Sequence, residues 1–195
     1  MIILASKSKA RNEMLKNAGL EFTSQPAELD EEELILQHKK AGKETAEIAQ
    51  MLAVEKARSI SLQHKDALVI GSDQILECEG QLLTKAENKE QALEKLNFLK
   101  GKTHRLISAV ALCKNGEMIW QDKGEAFLSM LNGDDAFLKR YVQQAGEALT
   151  RSVGAYELES IGVQLFEKIE GDYFTILGMP LLKLLSRLRE EGISI

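Results

Sequence analysis

Cysteine and proline are both scarce in this 195-residue chain, with two of each. Cys78 and Cys113 have no CxxC spacing and no neighbouring histidine pattern. That excludes a disulfide-stapled miniprotein, argues against a zinc site, and predicts two free thiols in a reducing compartment, the cytoplasm. Pro26 and Pro180 are the only prolines, and no Gly/Ser-rich linker, repeat or low-complexity run occurs, so residues 1–195 read as a single domain. An excess of positive charge is also missing: 25 Lys and Arg stand against 30 Asp and Glu, for a net charge of −5. A general binder of polymeric nucleic acid is therefore not expected, and any anion site must be local. No run approaches the roughly 18 uncharged apolar residues of a membrane span, and the opening MIILASKSKAR lacks the apolar stretch of a signal peptide. His38, His64 and His104 are scattered without ligand spacing, so none is assigned to a metal. What is present is an ordinary globular mixture, 44% hydrophobic and 28% charged, able to bury enough apolar surface to fold alone.

Periodicity places the elements. Ile2–Ala5 reads as a buried strand feeding a helix that starts near Ser6–Lys9, carries Met14, Leu15 and Ala18 on one side and ends at Gly19. Leu20–Ser24 is a short strand. Asp30–Glu33 opens a helical region that breaks near Gly42 and resumes from Thr45 to about Ile60. Ala67–Ser72 predicts a central strand, with Ile75–Glu77 and Gln81–Thr84 as a hairpin around Glu79-Gly80, so Asp73 is expected at a strand end. A helix over Asn88–Leu99, two antiparallel strands about Asn115-Gly116, a helix over Ala136–Ala145, a strand over Gly162–Ile169 and a leucine-lined helix from Pro180 follow. Strands and helices alternate without strict βαβ rhythm, which favours a mixed sheet flanked by helices over a doubly wound parallel one.

The chemistry available is that of cations and carboxylates. Ser6-Lys7-Ser8-Lys9-Ala10-Arg11 lies where a strand enters a helix. Backbone N–H groups, hydroxyls and cations there suit a phosphate, and an N-capping serine with a solvated first turn suits the same residues. Basic side chains oppose the dipole in a first turn, which is the local misfit that points to a ligand. Asp73, beside Gln74, is either a turn-former or a carboxylate holding a divalent ion or orienting water. The run Asp30-Glu31-Glu32-Glu33 suits a helix start better still, since acidic residues stabilise a first turn, and composition does not choose among its four members. By composition alone, Lys56 and Lys85 are surface residues, and Trp120 is core or a stacking partner for a cationic ring.

In order and spacing these segments resemble the Maf family of nucleoside triphosphate pyrophosphatases over nearly the whole chain. LASKSKAR (4–11) is similar to the family's LASxSPRR, LDE (29–31) to its acidic motif, and LAVEKA (52–57) to LAxxKA. IGSDQIL (70–76) matches its strand-end aspartate, Thr84-Lys85 its GKP, LKGKTH (99–104) its LSGxxH, and SVGAY with IEGDYFTILGMPL its closing signature. The resemblance implies a twisted mixed sheet with two lobes around a central cleft, similar to inosine-triphosphate pyrophosphatases. It also implies hydrolysis of a nucleoside triphosphate to monophosphate and pyrophosphate with Mg²⁺ or Mn²⁺. By the same resemblance Ser6, Ser8, Arg11, Lys56 and Lys85 hold phosphate, Glu31 and Asp73 are the metal ligands and catalytic carboxylates, and Asp73 activates water. Family members are often homodimers, although no self-complementary patch is legible here.

Four departures narrow the match. The usual Pro-Arg is Lys9-Ala10, which removes one cation and leaves Lys7 or Lys9 to compensate. Ala86 replaces the proline after the lysine. Asp-Gln stands for Asp-Thr at 73–74, and Glu159 for the late glutamine of the pyrimidine-preferring branch. Gln74 and Glu159 are similar to the branch acting on 7-methyl-GTP. A Glu159 carboxylate can accept from guanine N1–H and N2–H₂, whereas a thymine or uracil edge offers one donor between two carbonyls. The alternatives are a dTTP/UTP pyrophosphatase of the same family, a nucleotidyltransferase, and a non-catalytic nucleotide-binding regulator. Ser6–Ala10 lacks the glycines of a transferase loop, and the presence of Lys56, Asp73 and Lys85 weighs against decayed catalysis.

Overall fold

The computed structural model describes residues 1–193; the last two residues of the expected 1–195 domain lie outside the described residues. The chain order is β1 (Ile2–Leu4), α1 (Lys9–Asn17), β2 (Thr23–Ser24), α2 (Glu31–Lys40), α3 (Thr45–Ser61), β3 (Leu68–Cys78), β4 (Gln81–Leu83) and α4 (Lys89–Leu99). There follow β5 (Thr103–Lys114), β6 (Glu117–Met130), α5 (Asp135–Gln144), α6 (Ala148–Arg151), a 3-10 turn (Ile161–Leu165), β7 (Phe166–Gly171), α7 (Tyr173–Ile176) and α8 (Leu181–Glu190). Seven strands make one mixed sheet in the order β2-β1-β3-β5-β6-β7, with β4 paired to β3 off that path. The β1–β2 and β1–β3 pairs are parallel, and β3–β4 and β6–β7 antiparallel. This is the mixed, helix-flanked α/β sheet that the alternation predicts.

The chain divides into two compact units. One comprises Met1–Gln74, Ile107–Gly124 and Asp172–Ile195; the other comprises Ile75–Leu106 and Glu125–Gly171. In the first unit the period of two sorts the sheet's side chains cleanly. Leu4, Leu68, Ile70, Val110 and Leu112 pack with Met14 and Leu15 of α1 and with Leu181, Leu184 and Leu188 of α8. The alternate residues Ile3, Ala5, Val69 and Cys113 pack instead with Ala57 and Ile60 of α3. Each of these leucines contributes about 1.5–3 kcal/mol by leaving water. Trp120 packs against the α1–α8 cluster, the core role among its two readings. In the second unit α4 packs against α5 and α6, burying Ala92, Leu96, Leu99, Leu138, Tyr141 and Leu149. Both cysteines are free and buried.

Local chemistry fixes the ends. Asp30, Asn88 and Asp134 cap α2, α4 and α5 through their side-chain oxygens. Asn115-Gly116 turns β5 into β6 with both residues at positive φ, the conformation a two-residue hairpin requires. Two expectations are corrected. The Gly162–Ile169 strand is a 3-10 turn as far as Leu165, with β7 beginning only at Phe166; Gly162 sits so close to the Glu157 carbonyl that an added Cβ would lie 2.4 Å from it. And β3 is one unbroken strand, so Asp73 lies in its interior rather than at its end. The polar pair Asp73-Gln74 interrupts the apolar run without interrupting the strand, because both side chains find partners inside the first unit.

No helix among the described residues is long and apolar enough to cross a membrane.

Candidate active site

Strand alternation sends Ser72 and Gln74 to one side of β3 and Asp73 to the other, where α3 lies. Asp73 is 5% exposed and Lys56, on α3, is 7% exposed. The Lys56 Nζ lies 2.5 Å from Asp73 Oδ1 and 2.9 Å from Glu31 Oε1. Glu31 reaches it from the first turn of α2, so the acidic run both starts a helix and supplies a partner to the lysine. What brings α3 this near is Gly71. A Cβ there would fall 2.1 Å from the Ala53 carbonyl oxygen and 2.8 Å from the Ala57 Cβ, so only glycine admits the helix at this distance.

Burial pushes the Asp73 carboxyl above its ordinary range, and Glu31 adds to the rise, while the Lys56 ammonium and the Arg11 guanidinium pull it back. The net effect is a poorly solvated carboxyl with raised proton affinity, and hence a stronger proton acceptor than one in water. Lys56 has two acceptors and no apolar escape, a position that suits either a fixed cation or one that yields to a better-placed positive charge.

The opening loop is built differently. Ser8 caps α1, accepting from Arg11 N–H at 3.4 Å, and Ser6 Oγ accepts from Ser8 N–H at 3.1 Å. Here the capping reading of Ser8 is realised. Arg11 turns inward: its Nε donates to the Gly178 carbonyl at 2.9 Å, and its Nη1 donates to the Ser72 carbonyl at 2.9 Å and to Ser6 Oγ at 3.4 Å. Burial lowers its pKa, opposed by the charges of Asp73 and Glu31. Two of its nitrogens are thus engaged in tying α1, β3 and the Gly178 turn together, and its Nη2 makes no hydrogen bond among the described residues. Lys9 pairs on the surface with Glu13.

Gln74 is engaged as well. Its amide nitrogen donates to Ser108 Oγ at 3.0 Å and to the carbonyls of Thr175 and Ile176 at 3.2 and 3.0 Å. Ser108 Oγ donates in turn to Thr175 O at 2.7 Å. Ser72 Oγ faces the Ala109 and Gly178 carbonyls at 2.8 and 2.9 Å, two acceptors for one proton. Within the first unit, then, Ser6, Arg11, Glu31, Lys56, Asp73 and Gln74 are drawn around the middle of β3. Lys85 and Glu159 are exposed residues of the second unit.

Reading the sequence missed Gly71, Ser72 and Ser108. A glycine inside an apolar strand signals a close backbone approach, so Gly71 was findable; the two serines carry no comparable signal.

Among the described residues no group of three His, Cys, Asp or Glu side chains is arranged to hold a metal. The pair Glu31 and Asp73 fits a small hard cation that takes one or two carboxylates from protein and the rest of its shell from phosphate oxygens and water, the habit of Mg²⁺. It does not fit an all-protein cage.

Comparison with known families matches residues 1–191 to the Maf-like protein model. The chain belongs to the Maf family. Among its relatives, this Maf chain is 45% identical over 98% of its length to a protein of Rhizobium etli named 7-methyl-GTP pyrophosphatase, covering 96% of that protein. It is 46% identical over 97% of its length to a protein of Granulibacter bethesdensis named nucleoside triphosphate pyrophosphatase, again covering 96% of it. Among solved structures, a dITP/XTP pyrophosphatase of Mycobacterium abscessus aligns over 67% of this chain and 73% of its own, at 17% identity and a TM-score of 0.41. That likeness is too loose to transfer any residue's role.

Proposed function

We propose that this Maf chain hydrolyses the α–β anhydride of a nucleoside triphosphate, consuming one water and releasing a nucleoside monophosphate and pyrophosphate. The observation that carries it is the buried Lys56 held between Glu31 and Asp73. A cation fixed between two carboxylates, one of them desolvated, is costly to fold and useful for in-line displacement at phosphorus. Relatives about 45% identical over nearly the whole chain carry pyrophosphatase names, which supports the same reading.

Asp73 Oδ takes the proton of the attacking water, the task for which its raised proton affinity suits it. Lys56 moves its charge toward a phosphate oxygen as negative charge builds there, while Glu31 keeps its side chain aimed. Ser6 and Ser8 and the N-terminal amides of α1 are the phosphate donors of the opening loop. Arg11 adds positive potential from below and holds the loop's shape. Lys85 is assigned to phosphate by resemblance to the family motif, and Glu159 to the base on the same ground. Glu31 and Asp73 would hold a divalent cation, which supplies charge neutralisation on the triphosphate when bound. A guanine-type base, with 7-methyl-GTP as the model substrate, is preferred over a pyrimidine because a carboxylate accepts from guanine's edge. The catalytic domain is residues 1–195 and the setting is the cytoplasm.

The deciding experiment is pyrophosphate release from a panel of nucleotides with Mg²⁺, with Asp73→Asn as control. Monophosphate and pyrophosphate formed without a second substrate, fastest from a guanine nucleotide, is the expected result. Faster turnover of dTTP or UTP overturns the base assignment, and tight binding without turnover under any divalent ion overturns the hydrolase.

A further inference from the structure

Two motif residues to which the chemistry above gives no task meet in the second unit. His104, from LKGKTH, is the second residue of β5; Tyr156 closes SVGAY. The His104 Nε2 and the Tyr156 hydroxyl lie 2.6 Å apart, both residues buried. Phe166 closes the group, its ring 4.7 Å from Tyr156 edge-on and 5.8 Å from His104. A second tyrosine, Tyr141 of α5, donates its hydroxyl to the Ala155 carbonyl at 3.0 Å. Ser152 Oγ accepts from Tyr156 N–H at 2.8 Å.

These contacts hold a backbone that would not hold itself. Ala155 sits fully buried at φ +59, a left-handed conformation that costs a residue with a Cβ about 1 kcal/mol or more. At Gly154 an added Cβ would fall 2.2 Å from the Tyr156 ring. Strain of this kind persists only where the surroundings over-determine it, and here the restraints are the tyrosine hydroxyls, the imidazole and Ser152. Immediately beyond Tyr156 come Glu157 and Glu159, with Ser160 bonded back to the Glu157 carbonyl through both N–H and Oγ. The segment from Ser152 to Ser160 is thus pinned at both ends, and Glu159 lies within it.

We propose that His104 and Tyr156 are positioning residues for base selection: their buried pair, with Tyr141, fixes the Ser152–Tyr156 backbone and through it the placement of Glu159. This rests on the reading of Glu159 as the base-facing carboxylate. Discrimination between bases depends on a carboxylate held within a fraction of an ångström of the donors it meets, whereas the phosphates are served by other groups. Loosening the segment therefore degrades selectivity while sparing the chemistry at Asp73.

The test measures kcat and KM for 7-methyl-GTP and dTTP with Mg²⁺, using the full chain and the variants Tyr156→Phe, His104→Gln and Glu159→Gln, alongside thermal melts. Tyr156→Phe removes one oxygen, and the expected result is a roughly tenfold fall in the ratio of kcat/KM values, carried mainly by the KM for 7-methyl-GTP. His104→Gln keeps a polar nitrogen or oxygen near the Nε2 position and retains the ratio within about threefold. If Tyr156→Phe is too unstable to assay, Tyr141→Phe, which releases the Ala155 carbonyl, is read the same way. Equal losses on both substrates, or an unchanged ratio in Tyr156→Phe while Glu159→Gln lowers it, overturn the proposal and leave the Glu159 reading standing. A ratio altered by Tyr156→Phe and untouched by Glu159→Gln removes Glu159 as the reader and keeps the pinned segment as the selector.

Discussion

Lys56 and His104 are both buried polar residues, and their surroundings treat charge in opposite ways. Lys56 lies between the carboxylates of Asp73 and Glu31 in the first unit. His104, in the second, meets the Tyr156 phenol and the Phe166 ring with no carboxylate bonded to it, its Nδ1 is buried without a partner, and burial lowers its pKa to about 4. The first cluster keeps ions where folding would rather not have them; the second excludes ions and gains rigidity. Buried charge that is paired is costly to keep, whereas buried neutral hydrogen bonding stiffens the segments it joins.

The sharpest way to break this contrast is to neutralise the charged side. Asp73→Asn keeps shape and removes the proton acceptor, and a fall in kcat of about 10³-fold is expected in a pyrophosphate-release assay. A value within a few-fold of the parent would move the base elsewhere. On the neutral side the readout is stability against pH. Below pH 6.5 the unfolded chain's histidine binds a proton that the buried ring refuses until about pH 4. The unfolded state therefore holds more protons in that window, and stability falls as pH drops from 6.5 toward 4, by up to about 3 kcal/mol. Chemical denaturation at pH 7 and pH 4.5 should show this, and His104→Gln should flatten it. Asp73 works with the other sign: its raised affinity means the folded state holds more protons just above pH 3.8, so its share of stability declines as pH rises through that range.

Smaller effects sharpen the comparison. Lys56→Met leaves Asp73 and Glu31 facing each other without their cation, and kcat/KM should drop about 10²-fold, with Lys56→Arg recovering part of it. Gly71→Ala forces α3 away from β3, at about 2 kcal/mol in a denaturant melt. It should also lower kcat, because Lys56 rides on the displaced helix; an unchanged kcat would show that the distance between α3 and β3 is immaterial to the chemistry.

Most of the strands and longer helices were legible because their apolar residues repeat at two or near 3.6 and their ends carry caps that can be read. Asn88 and Asp134 announce α4 and α5, and Asn115-Gly116 announces a hairpin. The failures are equally physical. Asp73-Gln74 looked like the end of a strand because a polar pair has no business in a buried one unless partners wait on each side, and those partners, Lys56 and Ser108, are 17 and 34 residues away. Nor does the string show which carbonyls Arg11 and Gln74 donate to, because Gly178, Thr175 and Ile176 lie more than 100 residues downstream of them. The short α6 and α7 have too few residues to show a period.

The order of residues alone determined which family the chain resembles, since motif identity and spacing are properties of the string. It also determined the mixed character of the sheet, through the alternation of its elements. Only the folded chain decided that Asp73 and Ser72 face opposite sides of one strand, that Gly71 lets α3 bring Lys56 to a carboxylate, and that His104 meets Tyr156. Those outcomes depend on distances between segments far apart in sequence, which packing sets and local propensity does not.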